Sequence, residues 1–502
     1  MSEPEEEAQR VSTGIAGLDD ILCGGLDAER LYLVEGEPGT GKTTLALQFL
    51  LEGARRAERG LYVTLSESER ELRLVAKRHG WSLDEISIFE LVPPEAALDP
   101  EKELTLFHPA ELELSETSKM IFDRVADVEP TRVVFDSLSE MRLLAQNSLR
   151  YRRQILALKH FFAGRRCTVL LLDDLSSSEQ DLQLHSIAHG VITLQQTAVD
   201  YGAERRRMRV KKMRGIKFRG GYHDFIIATG GITIFPRLVA AEHHKAFIGD
   251  LATSGVAELD MLLGGGLERG TSVLLVGGAG VGKSSIAVTY AVGAARRGER
   301  VAMFAFDEGL GTLFARAAGL GVNMQEYVDQ GVITVQQIDP AEMSPGEFTQ
   351  LVRDAVEKRN VRVLLIDSLN GYLNAMPDER FLVLQVHELL SYLNQLGVLT
   401  IMVLAQHGLL GQMQTPIDLS YLSDSVIMLR YFEAAGRVRR ALSVVKKRSG
   451  THENAIREFQ LTANGVKVGP PLTEFSGILT GTPTYVGDPK PLMPESGDVG
   501  KH

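Results

Sequence analysis

Residues 36–43 read GEPGTGKT, and residues 277–284 read GGAGVGKS. Both fit the pattern G-x-x-x-x-G-K-[ST]. Each follows a short apolar run and precedes a segment with helical spacing. Glycines in such a loop let backbone N–H groups turn inward around phosphate oxygens, and the helix N-terminus adds partial positive charge. The first candidate cradle is Gly36, Gly39, Thr40, Gly41, Lys42, Thr43 and Thr44; the second is Gly277, Gly280, Val281, Gly282, Lys283, Ser284 and Ser285. Lys42 and Lys283 are expected to reach the β- and γ-phosphates, with Thr43 and Ser284 on Mg2+. One match could be a mere glycine turn. Two matches in equivalent context point to a nucleotide.

The duplication extends outward. Residues 12–26 (STGIAGLDDILCGGL) align with residues 253–267 (TSGVAELDMLLGGGL), eight of fifteen positions being identical at an offset of 241. The offset is the same at the glycine loops and at Glu67 against Glu308. It becomes 231 at FDSL (135–138) against IDSL (366–369), and 234 at Lys212 and Arg214 against Lys446 and Arg448. A period this long means two copies of one globular domain, since solenoid repeats are far shorter. Apolar runs at 31–35, 61–65, 132–135 and 168–172 alternate with helical spacing at 43–56 and up to His79. That order predicts an α/β fold, a mostly parallel sheet with helices on both faces. Hairpins are expected at 191–195 with 206–213, and at 426–431 with 439–446.

Two acidic positions accompany each loop. Asp136 and Asp367 end apolar strands, where a carboxylate faces the crevice in which ligands bind, and suit a metal. The strand at 61–65 leads to Ser66-Glu67, and that at 301–306 to Asp307-Glu308. A carboxylate near a γ-phosphate can orient and deprotonate water or a hydroxyl. Helix-start acids are the bland alternative. Recurrence at the loop's own offset favours the catalytic reading of Glu67, Asp307 and Glu308.

Composition bounds the rest. The 502 residues allow two to four domains; 44% are hydrophobic and 24% charged, which excludes long disorder. The net charge of −11 argues against a protein that coats nucleic acid. Two cysteines, Cys23 and Cys167, exclude a disulfide framework and fit a reducing cytoplasm. The start, MSEPEEEAQR, is unlike a signal peptide, and no run approaches a membrane span. Cys23 beside two glycines reads as a packing residue, His243-His244 as linker, and Trp81 as core or nucleotide-edge packing.

Together these residues resemble the RecA-like ATPases, and specifically the KaiC family of double-ring hexamers, over about residues 11–482. KMRG at 212–215 and HENAIREF at 452–459 add to the match. The resemblance implies two tandem RecA-like P-loop NTPase domains: 11–240 as first ATPase domain, 241–250 as linker, and 251–480 as ATPase and autokinase domain. Residues 1–10 and 481–502 would be disordered ends. It implies ATP and Mg2+ at subunit interfaces of a cytoplasmic homohexamer with a signalling or timing role. Metal contacts fall on Thr43, Asp136, Ser284, Asp307 and Asp367. Fingers reaching a neighbour's phosphates fall on Lys212, Met213 and Arg214, and on Lys446, Lys447 and Arg448, with Arg440 a further nucleotide contact. Phosphoacceptors fall on Ser420 and Thr415.

The sequence departs from the family in several places. Tyr421 replaces the second acceptor, Ser66 breaks the first acidic pair, and Leu320 stands where the family has a tryptophan on the adenine. Residues 98–116 and the Pro-rich end lack the features grasped by clock partners. Two other classes compete: a DNA-dependent recombination ATPase using the basic run 205–214, and a nucleotide-gated scaffold without kinase activity. The basic run reads better as a hairpin strand beside bound nucleotide, which argues against nucleic acid as a partner.

Overall fold

Strand Leu31–Gly36 is buried along its whole length. Tyr32 and Val34 enter one hydrophobic cluster, and Leu31 and Leu33 enter another on the opposite face. Ser272–Gly277 repeats this, with Val273 and Leu275 on one side and Leu274 and Val276 on the other. A strand buried on both faces belongs at the centre of a parallel sheet covered by helices on each side.

The computed structural model describes residues 9–91, 109–145, 147–175, 181–198, 202–373, 379–406, 421–434, 436–479 and 483–487. It divides into two units, Met1–Arg237 and Leu238–His502. The first unit holds a nine-stranded sheet in the order Ile86–Glu90, Gly60–Thr64, Arg132–Asp136, Thr168–Asp174, Leu31–Gly36, Gly190–Thr197, Arg205–Met213, His223–Ala228, Gly231–Phe235. The first six are parallel to one another and the last three pair antiparallel. The second unit repeats this order: Ile333–Gln337, Val301–Ala305, Val363–Asp367, Leu399–Ala405, Ser272–Gly277, Ser425–Ala434, Arg437–Lys447, Arg457–Thr462, Gly465–Pro471. The α/β architecture expected from the sequence is therefore present twice.

Helices cover both faces. In the first unit Ala16–Ile21, Lys42–Arg55 and Glu69–Arg78 pack on one side, and Pro109–Val128, Leu138–Ala145, Ser148–Ala163 and Asp181–Ile187 on the other. Each hairpin strand carries one extra residue at an equivalent place. Val191 pairs with Lys212 and Ile192 with Val210, which leaves Lys211 as a bulge; Val426 and Ile427 leave Val445 in the same way. The third hairpin of each sheet, from His223 and from Arg457, carries the sheet beyond the pairs expected from the sequence.

Leu238 and Ala240 join the second unit's core, and His243 stacks edge-on against Tyr392 at 5.0 Å. The start of the segment expected as linker thus packs on helix Glu379–Gln395. Thr484–Tyr485, inside the expected tail, pairs with Phe475–Ser476, and the Tyr485 ring lies 5.4 Å from that of Phe475. Trp81 packs on the first unit's core and stacks on His79.

A buried charge pair ties the sheet to its helices in each unit, by different means. Arg132 is 1% exposed; it donates to Glu58 at 2.5 Å and to the carbonyls of Ser12 and Phe49 at 2.8 and 2.7 Å. In the second unit Val363 replaces that arginine. Glu299, the counterpart of Glu58, is reached instead by buried Arg269 at 2.5 Å. Removing one member of such a pair leaves polar groups without partners. Because Glu58 is one-third exposed, Arg132→Met should cost the first unit about 2 kcal/mol, less than a fully buried pair. Urea unfolding of the full chain checks this: an unchanged first midpoint would contradict it.

Candidate active site

Both glycine loops join the end of a central strand to the start of a long helix, Lys42–Arg55 and Lys283–Arg296. The residues before these helices, Gly41 and Gly282, have φ of 101° and 115°. Only glycine adopts that turn at little cost, and no side chain caps either helix. The first-turn N–H groups therefore face the loop, a ready anion site. Thr40 and Val281 are fully buried and shape the loop, Thr40 by donating to the Glu37 carbonyl at 2.8 Å. Thr44 and Ser285 lie buried one residue beyond Thr43 and Ser284.

In the first site Lys42 donates to the carbonyls of Gly36 and Glu37 at 2.8 and 3.0 Å. Its third partner is Asp174 at 2.8 Å, a carboxylate on the ammonium that is to meet phosphate. The Thr43 hydroxyl lies 3.2 Å from an Asp136 oxygen, which also accepts from Tyr62 at 2.5 Å. Burial pushes the Asp136 carboxyl up, against the pull of those two hydrogen bonds. Glu67 is raised too, by burial first and then by the charges of Asp136 and Glu71. Its Oε2 is buried with no hydrogen-bond partner among the described residues. Ser66, its neighbour, is exposed.

The second site is built alike with different supports. Lys283 donates to the carbonyls of Gly277 and Gly278, both at 2.8 Å. Ala405 stands where the first site has Asp174. Burial pushes the Lys283 ammonium down to about 8, with Asp367 opposing. Asp367 is itself raised by burial, although the Ser284 hydroxyl bonded to it pulls the other way. Asp367 Oδ2 is buried and has no hydrogen-bond partner among the described residues. Asp307 accepts from the Ser368 hydroxyl, and Glu308 is paired with Arg316 at 2.5 Å. A cavity of about 530 Å³ opens over Lys283, Ser284, Asp307, Glu308 and Asp367, with Leu320 on its wall. That is within the size range of small-ligand sites.

Thr43 with Asp136, and Ser284 with Asp367, are hard oxygen donors suited to Mg2+. The orphaned, buried Asp367 Oδ2 fits a cation there. Among the described residues no cluster of three His, Cys, Asp or Glu could hold a metal, and no helix is long and apolar enough to cross a membrane.

The basic strand ends lie elsewhere. Lys212 faces Val191, whereas Gly36 faces Leu194, so Lys212 sits about 10 Å back along the strand direction, towards the N-terminal ends of the parallel strands. Lys212 donates to the carbonyls of His185 and Ala188, and Arg214 to that of Ser186 at 2.8 Å. Lys446 donates to the Ser423 carbonyl at 2.7 Å, and Arg448 to that of Tyr421 at 2.8 Å. Met213 and Lys447 point the opposite way, as strand alternation requires. Met213 enters the first core, and Lys447 pairs with Glu268 at 3.0 Å. Arg440 flanks its own phosphate loop: it faces Tyr431, and a Cβ at Gly280 would stand 3.2 Å from the Tyr431 hydroxyl. Ser420 and Thr415 lie outside the described residues.

Comparison with known proteins bears on the same residues. A family model described as "ATPase: KaiC" matches the chain twice, over residues 11–239 and 252–473. The chain belongs to the KaiC ATPase family. The circadian clock protein KaiC3 of Synechocystis sp. is 28% identical over 489 residues, covering 95% of each chain. The circadian clock oscillator protein KaiC of Picosynechococcus sp. is 27% identical over 95% of this chain and 93% of its own. That of Acaryochloris marina is 26% identical over 96% and 92%. This KaiC-family chain thus carries two ATPase domains, and ATP is the nucleotide its two loops serve.

Sequence reasoning did not find Asp174 on Lys42, Tyr62 on Asp136, Ser368 on Asp307 or Arg316 on Glu308. Asp174 had a visible signal, an acid ending the apolar run beside the central strand. Tyr62 and Ser368 need the sheet order before they mean anything, and Arg316 needs the helix turns that bring it back onto Glu308.

The depressed Lys283 ammonium predicts a pH effect. Phosphate favours the charged ammonium, so the nucleotide-bound site holds a proton that the empty site loses above about pH 8. With the first loop disabled by Lys42→Ala, affinity for a non-hydrolysable ATP analogue should be flat from pH 7.5 to 8. Above that it should fall by up to about tenfold per pH unit. Calorimetry in buffers of different ionisation enthalpy should record proton uptake; a flat affinity to pH 9.5 would contradict it.

Proposed function

We propose that this chain is a self-assembling ATPase in which the first domain hydrolyses ATP and the second both hydrolyses ATP and phosphorylates its own chain. The observation that carries the reading is the pair of equivalent sites, each combining a caged lysine, a hydroxyl–carboxylate pair for Mg2+ and an acid beside them. Bound Mg2+ would neutralise charge on the β- and γ-phosphates. Glu67 is suited to orient a water: its Oε2 is an unpaired acceptor, and its raised affinity for protons suits a base. Glu308 would do the same for a water or a hydroxyl, with Asp307 beside it as a further carboxylate and metal contact. In the kinase step the γ-phosphorus bond to the bridging oxygen breaks, a serine Oγ–P bond forms, and the serine proton passes to Glu308. Ser420 is the proposed acceptor, with Thr415 a second; Tyr421 beside Ser420 rules out a paired Ser/Thr cycle of the usual form.

Assembly is part of the proposal. Lys212, Arg214, Lys446 and Arg448 lie towards the strand ends opposite their own phosphate loops, which supports contact with a neighbouring copy's nucleotide in a homohexamer. Arg440 would serve its own site. The basic run that favoured a nucleic-acid role is committed inside its own domain: Arg205 is buried, Lys211 pairs with Glu35 at 2.7 Å and Arg207 with Asp224 at 3.7 Å. A timing or signalling role accords with the relatives' names, which carry the words circadian clock, and a cytoplasmic location is proposed with it. The sequences at 98–116 and in the Pro-rich end, largely outside the described residues, lack the features grasped by the usual clock partners.

The test is turnover and phosphosite mapping of the full chain with Mg-ATP. Lys42→Ala and Lys283→Ala should each remove part of the ADP release, and the double variant nearly all of it. Glu308→Gln should lower second-site turnover by about 100-fold and abolish phosphate on residues 415–425. Undiminished turnover in the double variant would end the ATPase reading. No phosphate on that segment in the unmodified chain would end the kinase reading.

A further inference from the structure

The two acidic ends differ in what holds them. Helix Leu310–Gly319 begins two residues after Glu308 and carries Arg316 on the turn above it. Arg316 donates through Nε to Glu308 Oε1 at 3.2 Å and through Nη2 to Oε2 at 2.5 Å. One guanidinium therefore occupies both oxygens of the carboxylate, the strongest geometry for such a pair. Both side chains are about a quarter exposed, at 26% and 25%, and both line the cavity over Lys283. The first site has no counterpart among the described residues: eight residues after Glu67 stands Val75, and Glu67 Oε2 has no hydrogen-bond partner among them.

A general base must point a lone pair at the proton it takes, within hydrogen-bond reach. A carboxylate forked onto a guanidinium has its best lone pairs committed. We infer that Arg316 is a positioning residue that latches Glu308, so that the second site rests with its base held and turns over only when Glu308 leaves the guanidinium. The inference rests on reading Glu308 as the second site's base. It assigns the two sites different resting states: the first base is ready, and the second must be released. The latch is local to the second copy, because valine at the first copy's position can neither attract nor orient a carboxylate.

The experiment uses the full chain carrying Lys42→Ala, so that turnover reports the second site. Arg316→Val, Arg316→Gln and Arg316→Lys are compared by kcat at saturating Mg-ATP and by affinity for a non-hydrolysable ATP analogue. A partly exposed pair of this kind contributes up to about 1 kcal/mol, which is about fivefold in rate. Arg316→Val and Arg316→Gln should raise kcat by about that factor while analogue affinity stays within about twofold; Arg316→Lys, which keeps the charge but not the fork, should fall between. Adding Glu308→Gln should erase the gain.

Unchanged or lowered kcat in both Val and Gln variants overturns the latch. So does a loss of analogue affinity of about tenfold or more, which would make Arg316 a nucleotide contact. If Glu308→Gln alone leaves turnover intact, the base reading fails and the latch falls with it. If Glu308→Gln abolishes turnover and the arginine variants gain nothing, only the latch fails.

Discussion

Everything in each unit is arranged around an ammonium held at the mouth of a helix. Lys42 and Lys283 are buried, and each is caged by two carbonyls from the end of its own central strand. A buried cation is costly unless its hydrogen bonds are met. The cage meets two of three and leaves one direction for an anion. That geometry demands a strand end, a glycine turn and a helix start in immediate succession. It also fixes where the hydroxyl of the next residue falls, beside the aspartate that ends a parallel strand. The doubly covered sheet exists to hold these pieces in register.

Duplication kept this nucleus and let its surroundings diverge. The first site fills the open direction with Asp174, so entering phosphate must exchange with a carboxylate; the second has Ala405 and leaves Lys283 with a weakened hold on its proton. Tyr62 braces Asp136, whereas Met303 at the matching place cannot. Glu35 sits buried with His185, Thr193 and Lys211 where the second unit has Val276. The first site is therefore a dense charge network and the second a more open one, with its base tied to Arg316. Two copies of one fold can run at different rates through such neighbours while the loops stay alike.

Local features were legible in the sequence because their physics is local. A glycine loop between an apolar run and a helix needs no partner to be recognised, and its recurrence beside Asp136 and Asp367 located both sites. The mostly parallel sheet followed from the alternation of runs. What escaped was set by contacts that no motif describes, most of them between segments distant along the chain. Asp174 meets Lys42 only because two strands are adjacent, and Arg316 meets Glu308 only through a helix turn that a motif does not describe. The middle residues of the K-x-R segments, Met213 and Lys447, were grouped with their neighbours by motif. Strand alternation turns them inward, to the core and to Glu268. The third hairpin of each sheet was announced by Gly230-Gly231 and by Asn464-Gly465, turn dipeptides that sequence reasoning passed over, whereas the Thr484–Tyr485 pairing had no such signal.

The central claim is that one chain carries two separate nucleotide sites, each depending on its own caged lysine. Counting bound nucleotide tests it most directly. Titration of the full chain with a non-hydrolysable ATP analogue and Mg2+ should reach two per chain, and one per chain in either Lys42→Ala or Lys283→Ala. A stoichiometry of one in the unmodified chain, or of two in both variants, would contradict the account.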